Sequence, residues 1–452
     1  MVLSVAVKEF YEFIKKSQRT ILLYPNFKNN IGSNRDPNLR LAEAKGLARA
    51  IGLEVVYAEV VNVRAPKPAT LFGEGIVRTF AEVVSSHQAE LVIIDSSLSP
   101  IQQRNLEKAW KTKVIDRTGL ILEIFGERAQ TAEGRLQVEL ASLMYQKSRL
   151  VRSWTHLERQ RGGLGFIGGP GETQLEVDRR LISERIAKIK KELAQVVRTR
   201  ELHRKARKRV LYPIIALVGY TNAGKSTLFN FLANANVLAE NLLFATLDPT
   251  MRQVSLPSGR QIILSDTVGF ISELPTQLIA AFRATLEEVL EADVIIHVRD
   301  ITHPETEHQK EDVLSILSQL GIEVDYNPNL IEVLNKIDLL PPESVLKTQT
   351  QDVLQKVLLS ALTGEGINNL LKLIQTKLGS SLKTFTFDIK SSDGAALAWL
   401  YQHGEVLERQ DQDEKIHLKV RLTPANWSKY EKEYFKGKNS FNFNDVTSLK
   451  EF

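Results

Sequence analysis

The chain has 452 residues, of which 43% are hydrophobic and 25% charged, and it contains no cysteine. At about 150 residues per domain this length points to about three domains, and the lack of thiols excludes disulfide frameworks, thiolate zinc sites, iron–sulfur clusters and thiol nucleophiles. The longest nearly uninterrupted apolar stretch, Ile214 to Val218 with its flanks, is far short of the roughly 20 residues of a membrane span. The N-terminal MVLSVAVKEFYEFIKK carries Glu9 and Glu12 and has no long apolar centre, so a secretory signal is not expected and a cytoplasmic protein is.

The formal charge of +5 is unevenly spread: Tyr145 to Val210 holds 18 Lys and Arg against 7 Asp and Glu, a local charge of +11 that leaves −6 for the rest. So concentrated a basic segment points to a polyanionic partner.

In residues 20–125, short apolar runs (TILLY, LEVVYAEV, ELVIID) alternate with helix-compatible stretches (Leu39 to Ala50, Gly75 to Ser86, Ile101 to Trp110). This alternation predicts a parallel α/β domain over 1–127. Asp95 and Asp116 end strands there and read as turn or cap residues. From about Ala129 the period changes. Leu136, Leu140, Leu143, Lys147, Leu150, Trp154 and Leu157 follow steps of four and three, and Leu175, Ile182, Ile186, Ile189, Leu193 and Val196 keep the same register. Thr173 and Glu176 form a capping-box pattern at the start of the second run. Neither helix carries enough apolar surface to stand alone, so an antiparallel helical hairpin is predicted over 128–210. Its tip, from Arg161 to Glu172, holds six glycines and one proline between Gly162 and Gly171, with Leu164, Phe166 and Ile167 among them. A passive connection needs no such composition, whereas close backbone approach to a partner does.

The apolar run PIIALV leads directly into GYTNAGKS and then the helical TLFNFLA. Strand, G-x-x-x-x-G-K-S and helix together make a phosphate loop. Gly219, Tyr220, Thr221, Asn222, Ala223 and Gly224 wrap the phosphates, Lys225 reaches the β and γ phosphates, and the Ser226 hydroxyl is expected to ligate Mg²⁺. DTVG (Asp266, Thr267, Val268, Gly269) follows a probable hairpin. A carboxylate there holds the metal, usually through water, and the Gly269 amide senses the γ phosphate. NKID (Asn335, Lys336, Ile337, Asp338) and Ser360, Ala361 and Leu362 stand at later strand ends and make up a base pocket. The Asp338 carboxylate accepts from guanine N1–H and N2–H₂, the Asn335 amide and Ala361 N–H are placed to meet N7 and O6, and the Lys336 stem lies along the ring. GTP or GDP is therefore the expected ligand, and ATP should be rejected.

The order of phosphate loop, FATLDPT, DTVG, NKID and SAL resembles a translation-factor-class GTPase, and RSWTHLERQRGG with GPGETQLEVDRR just before it resembles the HflX family of ribosome-associated GTPases. The resemblance runs from about residue 20 to 375. It implies a Ras-like G domain over 211–382, with Phe244, Ala245, Thr246, Leu247 and Asp248 at the nucleotide and Thr246 as the second protein ligand of Mg²⁺. It also implies a monomer that binds the large ribosomal subunit, with the hairpin loop near the peptidyl-transferase RNA, and splitting or rescue of stalled ribosomes. Lys225, Thr246 and Gly269 are then the catalytic candidates. Asn222 stands where some cation-activated relatives bind K⁺, although a bracing amide is the plainer role. Ras-type proteins carry a water-orienting glutamine after the DxxG glycine, whereas this chain has Phe270, so slow intrinsic hydrolysis stimulated by a partner is expected. The rival reading is a nucleotide-gated RNA-binding or assembly factor with incidental hydrolysis.

Residues 383–452 read as strand, helix, two strands and helix, a small α+β domain in which Trp399 and Trp427 anchor a core and His403 and His417 are not at metal-ligand spacing. The whole is expected to be an α/β multidomain chain.

Overall fold

The computed structural model describes residues 18–27, 35–160, 174–207, 212–235, 243–244, 250–272, 286, 288–324, 327–341, 355–380, 383–412, 415–422, 427, 429–431 and 434. The hairpin tip from Arg161 to Thr173 and the segment from Ala245 to Pro249 lie outside them, and with them the expected capping box and Thr246. The chain divides into two compact units, Met1–Leu371 and Lys372–Phe452.

The first unit opens with β1 (Arg19–Phe27), α1 (Pro37–Ala50), β2 (Glu54–Val63), α2 (Glu74–Ser86), β3 (Leu91–Ile94), α3 (Pro100–Trp110), β4 (Lys113–Asp116) and α4 (Arg117–Arg128). The four strands form a parallel sheet in the order β2-β1-β3-β4, as the alternation predicts. Strand period divides β1 between two apolar cores: Ile21 and Leu23 face Phe72, Phe80 and Trp110, whereas Leu22 faces Leu41, Ile93 and Phe125. Helix starts are locally encoded. Asp36 caps α1, Ser99 and Gln102 form a capping box on α3, and Asp116 caps α4.

The hairpin arms are α5 (Ala132–Gln160) and α6 (Gln174–Arg207). Leu143, Ile182, Ile186 and Ile189 are buried between them, with Leu136, Leu140, Met144, Leu150 and Leu193 packed around. This is the predicted heptad seam.

A second sheet has the order β10-β9-β8-β5-β7-β6, parallel except for β6 against β7. Its strands are β5 (Ile214–Gly219), β6 (Thr250–Ser255), β7 (Gln261–Asp266), β8 (Val294–Asp300), β9 (Leu330–Asn335) and β10 (Lys356–Leu358), with α7 (Lys225–Ala233), α8 (Thr306–Gln319) and α9 (Ile367–Ser380) among them. The two sheets, expected to lie in separate domains, share one apolar core: Leu22, Ala44, Ile93 and Phe125 from the first side pack in one cluster with Val218, Phe270, Ile271 and Leu317 from the second.

In the second unit, β11 (Lys383–Lys390), β12 (Glu405–Gln412) and β13 (Lys415–Leu422) form an antiparallel sheet in the order β11-β13-β12 beside α10 (Gly394–His403). Trp399 and Trp427 pack against its core, Trp427 stacked on Phe385 at 4.3 Å. Both act as anchors, as expected.

Ile189 is fully buried in the hairpin seam. Truncation to alanine is expected to cost about 2–5 kcal/mol of arm stability, read as faster amide exchange across α5 and α6; unchanged exchange would mean that the arms do not depend on each other.

Candidate functional site

The site assembles at the end of β5. Gly219 has φ +152, and a Cβ there would lie 2.1 Å from the Val298 carbonyl oxygen on β8, so only glycine lets the chain leave the sheet along this path. The loop then turns through Asn222, exposed at φ +62, and Gly224 at φ +94 before α7 begins at Lys225. Lys225 is buried, and its Nζ donates to the carbonyl oxygens of Gly219 at 3.1 Å and Tyr220 at 2.9 Å. Its ammonium thus sits inside the phosphate loop. Burial pushes its pKa down to about 8, against the opposing pull of Asp266.

The Ser226 hydroxyl donates to Asp266 Oδ2 at 2.7 Å. A hydroxyl and a carboxylate from two separate elements, both oxygen donors, match the ligand chemistry of a hard divalent cation such as Mg²⁺. Thr267 is buried, with its hydroxyl donating to the Leu217 carbonyl at 2.6 Å. A Cβ on Gly269 would lie 2.9 Å from Thr221 Cγ2 and 3.0 Å from Lys225 Nζ, so the bare backbone of DTVG meets the lysine directly. Val268 and Ile337 are buried apolar side chains.

At the other end, Asn335 is buried and its side chain is a bracket: Nδ2 donates to the Ala223 carbonyl at 2.9 Å, and Oδ1 accepts from Ala361 N at 2.9 Å. A Cβ on Gly224 would meet Asn335 Nδ2 at 2.2 Å, so the glycine makes room for the bracket. These two bonds tie the phosphate loop to the base loop, and because an amide nitrogen carries two N–H donors the bracket and the expected contact of Asn335 with guanine are compatible. Lys336, at φ +68, pairs with Asp300 at 2.7 Å, while Asp338 is exposed. Ser360 is buried and accepts from Thr363 N at 3.1 Å, and Leu362 is exposed.

Phe244 turns its side chain into the shared core. It is 2% exposed at φ +56, with its ring edge-on to Phe125 of α4 at 4.7 Å. Its side chain is thus spent on packing in that core. Phe270 is likewise buried; its N–H donates to the Gly219 carbonyl at 3.0 Å, and its own carbonyl accepts from Thr221 N at 2.7 Å. The residue after DTVG is thereby pinned to the phosphate loop, and its side chain cannot orient water.

The motifs did not reveal a buried polar cluster behind the loop. Glu43 accepts from Arg117 at 2.5 Å and from the Tyr220 hydroxyl at 2.7 Å, while Arg117 also donates to Asp95 at 2.6 Å and to the Ser272 carbonyl at 3.1 Å. Arg40 donates to the Ser272 hydroxyl. Burial raises the Glu43 carboxyl, but Arg117 and Arg40 more than offset this and hold it below its ordinary range. One signal lay in α1: Arg40 falls on the same helical stripe as Ala44 and Leu47, and a charge on a buried stripe implies a partner.

The chain matches the family models for a GTP-binding GTPase N-terminal region over residues 38–126, a GTP-binding GTPase middle region over 128–207, a 50S ribosome-binding GTPase over 214–336 and an HflX C-terminal domain over 345–442. It is 50% identical to the GTPase HflX of Magnetococcus marinus, across 85% of this chain and 88% of that one. It is 42% identical to the GTPase HflX of Escherichia coli, across 86% and 90%. Among solved structures, the crystal structure of the SsGBP and GDP complex shares 25% identity at a TM-score of 0.45, covering 79% of this chain and 98% of that one.

Three outcomes are expected. Asp338→Asn should exchange guanine for xanthine specificity, because two donors then face each other; a loss of about 1–3 kcal/mol is about 5- to 150-fold in GTP affinity. Unaltered GTP affinity in a competition titration would remove Asp338 from the base pocket. For Lys225, bound phosphate raises the lysine pKa again, so affinity is flat below the free value of about 8 and falls above it as the free protein loses its proton. From pH 7 to 8.5, fluorescent GDP should bind about threefold to fourfold more weakly; constant affinity would mean that Lys225 stays charged in the free protein. Phe270→Leu should leave partner-free turnover within about threefold, since no water-positioning group is lost, and a hundredfold fall would give Phe270 a catalytic part.

Proposed function

The chain belongs to the HflX family of GTPases, and from that premise we propose that it couples GTP hydrolysis to binding of the large ribosomal subunit, gripping rRNA with the hairpin and splitting or rescuing stalled ribosomes. The observation that carries this reading is the basic hairpin: Arg179, Arg180, Lys188, Lys190, Lys191 and Arg198 stand exposed on α6 while its apolar seam is consumed in pairing with α5. No helix among the described residues is long and apolar enough to cross a membrane, and an RNA backbone is the polyanion that a row of exposed cations on a rigid arm fits. The family model over 214–336, described as a 50S ribosome-binding GTPase, supports the same partner.

In this reading the loop amides and Lys225 hold the phosphates and neutralise the charge that spreads over the γ oxygens in the transition state. When bound, Mg²⁺ would be held by Ser226 and Asp266 and would supply further charge neutralisation at the phosphates. The Gly269 N–H donates to the γ phosphate. Asp338 rejects adenine. The side chain after the DTVG glycine, Phe270, cannot orient the attacking water, so turnover is slow until the partner completes the site, either with a cationic or phosphate group or by reorganising the switch. The protein then cycles in the cytoplasm between a GTP form on the subunit and a GDP form that leaves.

The decisive measurement is multiple-turnover GTP hydrolysis with and without purified large subunits, alongside cosedimentation. Several-fold stimulation is expected, whereas tight GTP-dependent RNA binding without turnover would replace this reading with that of an assembly factor. Charge and tip should separate. Neutralising Arg198, Arg200 and Arg204 should flatten the salt dependence of binding by about one unit of slope per lost phosphate contact. Phe166→Ala or bulkier residues at Gly168 and Gly169 should leave that slope and reduce subunit-stimulated hydrolysis. Full stimulation in the tip variants would reduce the loop to a linker.

A further inference from the structure

Asp116 and Arg117 are consecutive, at the end of β4 and the start of α4, and their side chains serve opposite masters. Asp116 Oδ1 accepts from the Tyr145 hydroxyl on α5 at 2.5 Å, and Oδ2 accepts from Arg149 on the same arm at 2.5 Å. The same carboxylate caps α4 through Gly119 N at 2.8 Å. Arg117, one residue on, is 3% exposed and joins Asp95, Glu43 and Ser272. Ser272 lies three residues beyond Gly269; its N–H donates to the Tyr220 hydroxyl at 2.9 Å, and its hydroxyl donates to Glu43 at 3.2 Å. Tyr220 is the second residue of the phosphate loop. The peptide unit of Asp116 and Arg117 therefore links the hairpin arm by polar contacts to the two segments that meet the phosphates, beside the apolar core they share.

We infer that Asp116 and Arg117 are a joint that couples the hairpin to the nucleotide site, with Arg117 and Glu43 as positioning residues for the phosphate loop and for the segment that follows Gly269. The inference rests on the hairpin being the arm that meets RNA. A guanidinium presents its donors in a fixed fork, so it cannot follow a displaced Ser272 and keep Asp95 and Glu43 as well. A shift of the segment after Gly269 must accordingly be carried into the first turn of α4 or break buried charge-assisted bonds. Asp116, capping that same turn, transmits the shift to Tyr145 and Arg149. The path also runs in reverse, because a load on α5 that reorients Asp116 moves Arg117 and changes how firmly Ser272 and Tyr220 are held. Coupling of this kind is reciprocal: the factor by which nucleotide alters RNA affinity equals the factor by which RNA alters nucleotide affinity.

Replacing Arg117 itself would leave buried carboxylates unpaired and put folding at risk, so the test uses Tyr145→Phe and Ser272→Ala, which keep the packing and delete single hydroxyls. Release rates and affinities of fluorescent GDP and a fluorescent non-hydrolysable GTP analogue are measured in the full chain for each variant and for the pair. Each single variant should change the ratio of the two affinities by about threefold to tenfold, and the double variant should do no more than the larger single, since both cut one chain of contacts. A merely structural Tyr145 would lower the unfolding temperature and leave that ratio at the wild-type value, and this overturns the joint, as does a double variant whose effects multiply. With large subunits present, both variants should still cosediment while stimulation of hydrolysis falls. If the wild-type chain neither cosediments nor is stimulated, the ribosomal reading fails by itself, and the partner-free affinity ratios still decide the joint.

Discussion

Arg117 is the residue on which the first unit's architecture turns. A guanidinium 3% exposed loses nearly all of its hydration, a penalty of several kcal/mol that only well-placed partners offset. Those partners are Asp95 and Glu43 on the α/β side and Ser272 on the nucleotide side. Both carboxylates lie on the α/β side, and the neutral Ser272 carbonyl and hydroxyl complete the guanidinium's set of acceptors when the two sheets are docked. Apolar packing alone tolerates sliding, whereas a fork of directed donors does not. The shared core contributes the area and Arg117 sets the register.

That register explains why the nucleotide site has a rigid rear wall. Phe270 is tied to the phosphate loop by two backbone hydrogen bonds, Ile271 is fully buried, and Ser272 is held by Arg40 and Arg117. At the entry to the switch, Phe244 is locked against Phe125. Phe244 and the residues that follow Gly269 are thus both anchored in the core shared with the α/β side. The base side is braced independently by Asn335, which spans Ala223 and Ala361.

What the sequence made legible was local. Gly219 through Ser226 declare a phosphate loop because wrapping an anion needs glycines, a lysine and a helix start in a fixed short order. The hairpin declares itself because a seven-residue apolar repeat has few other uses. The long-range partnerships were not legible: Arg117 meets Ser272 across 155 positions and Arg40 meets it across 232, and no spacing rule connects such residues. Asp116, read as a cap, is one, yet its second oxygen also holds the hairpin arm. The turn of Phe244 into the core and the bracing bonds of Asn335 were not legible for a related reason. A motif specifies where the backbone passes, and which way a side chain then turns is decided by the neighbours that the rest of the chain supplies.

Phe270 unites these observations. In a site whose switch is free, a side chain after the DxxG glycine can swing toward the attacking water. Here the backbone on both sides of that position is committed to Gly219 and Thr221, and the ring is 1% exposed in the shared core. A glutamine there would have to bury its amide without partners, at a cost of about 1–3 kcal/mol, or break the bridge that aligns the phosphate loop. The anchored backbone and the buried ring of Phe270 are two sides of one arrangement. The phosphate loop is braced from two sides, by the backbone of Phe270 and by the Asn335 side chain.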